Sequence, residues 1–277
     1  MCMGFGCNAA GVVGCRIMSG EREKRIAMLT NSFVPCNGRF PLIITLTGLF
    51  LVPGSGSPLA AATVLACLVV LSVLMSLAAT KLLSKTVFHG GSESFLMELP
   101  PYRPPKVARV LLSGAVDRTA RILLRAVLVA APAGLVLFIL ANIRTPGGPL
   151  LTAVCGFLDP FARLFGLDGP ILAAFILGFP ANELVLPILL MAYTSSGTLA
   201  EAGGAELFSV LSANGWTAFT ALSTVLFSLF HWPCSTTLLT VRKEAGGTKW
   251  MLLAAALPTA FGMILLAALK LFSSLLF

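Results

Sequence analysis

Gly178-Phe179-Pro180-Ala181-Asn182-Glu183-Leu184-Val185 lies inside an apolar run, residues 171–193, that carries two prolines, Pro180 and Pro187, and one carboxylate. A proline inside a helix frees backbone carbonyls, and lipid tolerates free carbonyls only where they face protein or a polar cavity. The run therefore reads as a kinked span or as a hairpin that re-enters on its own side. A shorter echo, Gly4-Phe5-Gly6-Cys7-Asn8, stands at the start of the chain. Downstream of each comes a second break in which proline precedes cysteine, Pro35-Cys36 in the first half and Pro233-Cys234 in the second. One broken-helix module is thus present twice, and paired interruptions of this kind point to a transporter's binding site.

Composition sets the environment. Of 277 residues, 57% are hydrophobic and only 11% charged, and the mean hydropathy is +0.94. These values exclude an ordinary soluble domain and predict an all-α, polytopic integral membrane protein with broken or re-entrant helices. The clearest spans are residues 58–82, 126–143 and 249–277, with 25–51 broken at Pro35 and Pro41 and 216–241 broken at Pro233.

The net charge of +8 does not indicate nucleic acid, because the basic residues lie between apolar spans. Three basic clusters, Arg16 to Arg25, Lys81 to Arg125, and Arg242-Lys243 with Lys249, are placed in the cytoplasm by the positive-inside rule. Two crossings separate the first cluster from the second. With 126–143 and 216–241 crossing, parity requires residues 171–193 to re-enter, and 150–167, which carries Asp159-Pro160 and Arg163, to lie at the interface. Seven cysteines with no paired spacing exclude a disulfide framework.

The chain divides into a first gate-like module with its following span (1–82), a cytoplasmic connector (83–125) and a second module with C-terminal spans (126–277). The connector passes Leu99-Pro100-Pro101-Tyr102-Arg103-Pro104-Pro105, an extended turn, and then predicts an amphipathic surface helix over 107–124 with Arg118, Arg121 and Arg125 on one face. The polar stretch 195–215, with Gly197, Glu201 and Glu206, reads as an aqueous loop.

Glu183 is the strongest site candidate, because a carboxylate between two prolines in an apolar run is costly unless it lines a polar cavity or binds a cation. A glutamate reaching the membrane edge is the alternative. Asn182 and its counterpart Asn8 offer amide oxygens, whereas the residue matching Glu183 in the first module is Ala9. Cys36 and Cys234 follow their prolines, Cys7 adds a third thiol, and His231 precedes Cys234 by one helical turn. Thiolate and imidazole suit late first-row metals; otherwise these side chains fill space at a kink, which is the favoured reading for His231. No cofactor is expected to bind tightly, since a permeation site must also release its ion. The chain has no Walker A lysine motif, Gly-x-Ser-x-Gly elbow or His-Glu-x-x-His helix, so it is not read as an enzyme.

Five segments in order resemble the ferrous iron transport protein B family through its membrane-embedded gate domains. They are Gly4 to Asn8; Phe33-Val34-Pro35-Cys36-Asn37-Gly38-Arg39-Phe40-Pro41; Glu98 to Arg103; Gly178 to Val185; and Pro233-Cys234 followed by Arg242-Lys243-Glu244-Ala245-Gly246. The resemblance implies Fe(II) transport across the bacterial inner membrane by a multi-pass permease. It matches Cys7, Cys36 and Cys234 to the family's path-lining cysteines, and Glu183 to the glutamate of its second gate. Asn182 stands where the family commonly has lysine, and Gly6-Cys7-Asn8 departs from its glycine-cysteine-glycine pattern. The family's regulatory GTPase domain has no counterpart in this sequence, so the implied partners are an N-terminal half or a GTPase-bearing protein, Fe(II) and the lipid bilayer. Homo-oligomerisation stays open. Two other readings stand beside this one: a nucleoside or small-solute carrier using Asn8, Asn182 and Glu183, and a non-transporting scaffold or remnant.

Overall fold

The computed structural model describes residues 2–52, 58–88, 107–112, 114, 116, 119–145, 148–195, 199 and 203–276. Among these the protein is helical, with one short antiparallel pairing of β1 (Arg144–Thr145) and β2 (Gly148–Pro149). The Leu99–Pro105 turn, the arginine face of 118–125, Gly197 and Glu201 lie outside what is described.

Module one opens with a 3-10 turn, Cys2–Phe5, then α1 (Asn8–Gly14) and α2 (Glu21–Thr30). The helix of α2 stops where Pro35 removes an amide donor, and the chain passes 3-10 turns at Asn31–Phe33 and Asn37–Arg39 before α3 (Phe40–Leu46). Pro41 does not break a helix; it sits in the first turn of α3, where the missing N–H would have no intrahelical partner. A π-helical turn, Thr47–Leu51, then leads towards α4 (Pro58–Thr86).

The expected surface helix over 107–124 is described only in part. Its first part is α5 (Val107–Leu112), and its last residues are the first turns of α6 (Thr119–Asn142), which runs on through Pro132. Next come α7 (Leu150–Arg163), α8 (Gly169–Leu177) and α9 (Val185–Thr194). The stretch read as an aqueous loop contains α10 (Gly204–Ala213), whose Leu207 and Leu211, one turn apart, are buried while Phe208 meets Phe50 at 5.2 Å. Apolar residues at helical spacing outweighed the flanking glycines. The chain closes with α11 (Ala218–Phe230), α12 (Ser235–Glu244) and α13 (Thr248–Leu276).

Among the described residues, four stretches are long and apolar enough to cross a membrane: Glu21–Leu51, Pro58–Thr86, Ala218–Glu244 and Thr248–Leu275. Within their most apolar 18-residue windows the two broken ones have 50% and 78% of residues buried, the two continuous ones 17% and 22%. The broken spans are therefore the centre of the molecule. The continuous ones form its outer wall, exposing Leu74, Leu77, Ile264 and Leu271 as a membrane-facing surface. Val127–Asn142 of α6 is a shorter apolar helix.

Residues 171–193 fold back on themselves as a hairpin. Its arms, α8 and α9, have nine and ten residues, so each reaches about 15 Å, half the hydrocarbon thickness. The ends meet: Tyr193 Oη donates to the Asp168 carboxylate, Trp216 Nε1 donates to Tyr193 Oη at 2.7 Å, and Asp168 Oδ1 accepts from the amide of Ile171 at 2.8 Å as the N-cap of α8. Burial holds the Asp168 carboxyl above its usual range, against the hydrogen bonds from Tyr193 and Ile171. Tyr193→Phe should cost about 2 kcal/mol by leaving both Trp216 and Asp168 without this partner. Thermal unfolding in detergent checks it, and an unchanged midpoint would show that the hairpin is closed by other contacts.

Candidate functional site

The four breaks share a backbone design. Cys7 (φ −152°, ψ 123°) and Ala181 (φ −149°, ψ 119°), matched in the two modules, adopt nearly the same extended conformation, each before a helical segment. Cys36 (φ −86°, ψ 166°) and Cys234 (φ −60°, ψ 157°) form the second matched pair. The residue after each of these cysteines then ties its loop to the earlier break of its own module. Asn37 N–H donates to Gly6 O at 3.3 Å, and Ser235 N–H donates to Phe179 O at 3.0 Å, with Ser235 Oγ reaching Pro180 O at 3.4 Å. The repeat read from sequence is thus a repeat in hydrogen bonding.

Three of these four N-cap positions hold cysteine, and none of the four side chains makes a cap hydrogen bond. Serine, threonine, aspartate or asparagine would satisfy the free amides there; a thiol does so poorly.

Asn182 Nδ2 donates to Cys36 Sγ at 3.7 Å, across the module boundary, both residues buried. Beside them, the turns Asn37–Arg39 and Asn182–Leu184 pack together so closely that a Cβ on Gly38 would lie 3.7 Å from Glu183 N and 3.8 Å from Asn182 Cβ. Cys36, Asn182 and the backbone of Glu183 are therefore brought to one crossing. The Glu183 side chain is exposed.

The other candidates are placed differently. Asn8 is buried and, in the amide orientation that suits its neighbours, donates to Gly4 O at 3.2 Å and Val34 O at 3.3 Å, fastening the two breaks of module one. Cys7 is exposed at the start of α1, which packs along α12. Cys234 is half-buried, its Sγ 3.2 Å from Thr236 Oγ1 and Thr237 Oγ1. His231 is buried with Nδ1 against the carbonyls of Ser228 (2.9 Å) and Phe227 (3.2 Å), its ring edge-on to Phe175 at 4.8 Å. Those acceptors place its proton on Nδ1. Among the described residues no group of three or more His, Cys, Asp and Glu side chains converges, so an ion at the crossing would draw on single thiols, amide oxygens and freed carbonyls.

Two participants were not singled out from sequence. Asn31 Nδ2 donates to Asn8 O at 2.9 Å, and its side chain lies flat against Gly11, where a Cβ would sit 2.5 Å from Asn31 Oδ1. Arg39 is 1% exposed, with its guanidinium on carbonyls of both modules. The signal for Arg39 was in the sequence: it is a charge between Pro35 and Pro41 in an apolar stretch, the same pattern that singles out Glu183.

Residues 65–115 match the family model described as Ferrous iron transport protein B C terminus. Among curated proteins, the chain is 26% identical over 273 residues to a protein of Staphylococcus aureus (strain COL) named Fe(2+) transporter FeoB, covering 96% of this chain and 39% of that one. It is also 26% identical over 292 residues to a protein of the same name from Methanocaldococcus jannaschii, covering all of this chain and 41% of that one. With the Helicobacter pylori protein of that name the identity is 34% over 110 residues, 40% of this chain and 16% of the relative. The chain thus spans well under half the length of these relatives. No solved structure matches it. The resemblance carried by the five motifs holds along the whole chain, and it is to the C-terminal membrane region of the ferrous iron transport protein B family.

Proposed function

We propose that this membrane region forms the path of a ferrous iron transporter, with Fe(II) as cargo crossing where the two broken spans meet. The observation that carries the reading is the contact of Asn182 with Cys36 at 3.7 Å, which sets a thiol from one break and an amide from another at one buried point. Fe(II) lies between hard and soft cations, so a mixed set of thiol, amide and carbonyl oxygen suits it. An amide N–H on the sulfur is also the kind of neighbour that orients a metal-bound thiolate. Cys7 and Cys234 extend the thiol series along α1 and α12, Asn8 holds the first break in shape, and Glu183 supplies charge at the path's edge. Placement in the bacterial inner membrane and regulation by a GTPase region belong to the same proposal, because relatives of this name are longer than this chain.

Fe(II) uptake into proteoliposomes carrying the protein should fall about tenfold or more on Cys36→Ser or Glu183→Ala. Unchanged uptake in both variants would remove the site assignment. If nucleosides and not divalent metals compete for transport, the small-solute reading takes its place.

A further inference from the structure

The C-terminal carbonyls of α11 have nowhere to go within their own helix. Pro233 carries no N–H and the backbone turns extended at His231 (φ −83°, ψ 176°), so carbonyls at the break lack helical amide donors in the middle of a span, and the His231 ring faces only those of Phe227 and Ser228. Freed carbonyls at the end of a broken helix, at the negative end of its dipole, are the usual means of holding a cation inside a membrane protein.

Here they are taken. Arg39 Nη1 donates to Leu229 O at 2.9 Å and to Ser32 O at 3.3 Å; Nη2 donates to His231 O at 3.1 Å and Trp232 O at 3.3 Å. Four carbonyls drawn from both modules surround one guanidinium. Among the described residues no carboxylate pairs with it, and its Nε is buried without a partner. A charge placed this deep is costly unless its surroundings are built for a cation.

We propose that these carbonyls form a cation site whose resident occupant is the Arg39 guanidinium, a tethered ion that keeps monovalent cations such as potassium from leaking through the crossing of the two breaks. The inference rests on the reading of that crossing as an ion path. A guanidinium suits the role because it cannot lose its proton and its flat fork spans several acceptors at once, whereas an ammonium is a compact point charge. Carbonyl oxygens that satisfy it can equally replace the hydration shell of a small inorganic cation once it is removed.

The test is a potassium flux assay on proteoliposomes bearing the wild-type protein, Arg39→Gln and Arg39→Lys, each monodisperse before reconstitution. Arg39→Gln should pass potassium about tenfold or more faster than the wild type, millimolar guanidinium should suppress that leak, and Arg39→Lys should stay tight because an ammonium still fills the cradle. The proposal is overturned if Arg39→Gln is as tight as the wild type, if guanidinium leaves its leak unchanged, or if lysine and glutamine variants leak alike. It is equally overturned if both variants fail to fold, since Arg39 is then a structural clamp requiring its fork. Wild-type Fe(II) uptake measured on the same vesicles separates the two readings. A guanidinium-sensitive leak without wild-type uptake removes iron and keeps the cradle; uptake without a leak does the reverse.

Discussion

Replacing Gly169 with valine is expected to unfold the packing of α7 against the hairpin. A Cβ at this position would lie 2.1 Å from Cys155 O, 2.9 Å from Cys155 C and 3.2 Å from Asp159 Cα, all of them backbone atoms in the middle of a helix. No side-chain rotation relieves such a contact; α7 and α8 must separate. Separation would also break the bond from Gly169 N–H to Asp159 Oδ1, 3.0 Å long, and shift Asp168, which caps α8 and holds Tyr193. Overpacking a core costs about 1–3 kcal/mol when side chains can adjust, and a backbone clash at this distance belongs at or above the top of that range. The variant should reach the membrane poorly and unfold in detergent well below the wild type. Gly169→Ala should show the same defect at smaller size. A wild-type midpoint for the valine variant would mean that the close approach of α7 to α8 is not a feature of the protein in the bilayer.

Phe33→Ala is the second large effect. Phe33 is fully buried in the 3-10 turn before the first Pro-Cys break, with Phe261 edge-on at 5.5 Å and Phe230 at 6.2 Å. It joins module one to α11 and to α13, where Gly262 lets the helices approach so closely that a Cβ would sit 2.9 Å from Phe230 O. In a membrane, removing an aromatic ring from water contributes little to helix association, since the lipid is itself apolar. The cavity left behind still forfeits dispersion contacts on every side. An expected loss of about 3 kcal/mol corresponds to a fall of roughly 10 °C in the thermal midpoint. Phe33→Leu, which refills most of the volume, should recover more than half of it. If alanine and leucine behave alike, the ring stack is not what joins the modules.

Much of the candidate site was legible because lipid leaves few alternatives. Pro35, Pro180 and Pro233 could not continue a helix, so the breaks had to occur near them. A buried asparagine or cysteine beside a break could be found by position alone. What misled was proline itself: Pro41 looks like Pro35 in the sequence, yet it initiates α3, because the penalty of proline depends on whether a helix already exists on its N-terminal side. The stretch containing α10 misled for a related reason, its glycines lying at the helix ends while Leu207 and Leu211 supplied the buried face.

The sequence by itself determined that this is a helical membrane protein whose helices break near Pro35, Pro180 and Pro233; this follows from chain-local rules of hydropathy and missing amide donors. Only the tertiary structure decided which breaks meet. Asn182 reaches Cys36 from 146 residues away, and Arg39 closes on carbonyls about 190 residues downstream. Such pairings depend on how the broken spans cross, which is set by packing small and aromatic side chains against one another, among them Gly38, Gly262 and Phe33. The pattern of apolar residues along a lipid-embedded chain says that a helix is buried and leaves its partner unstated, because lipid and protein interior are nearly the same solvent.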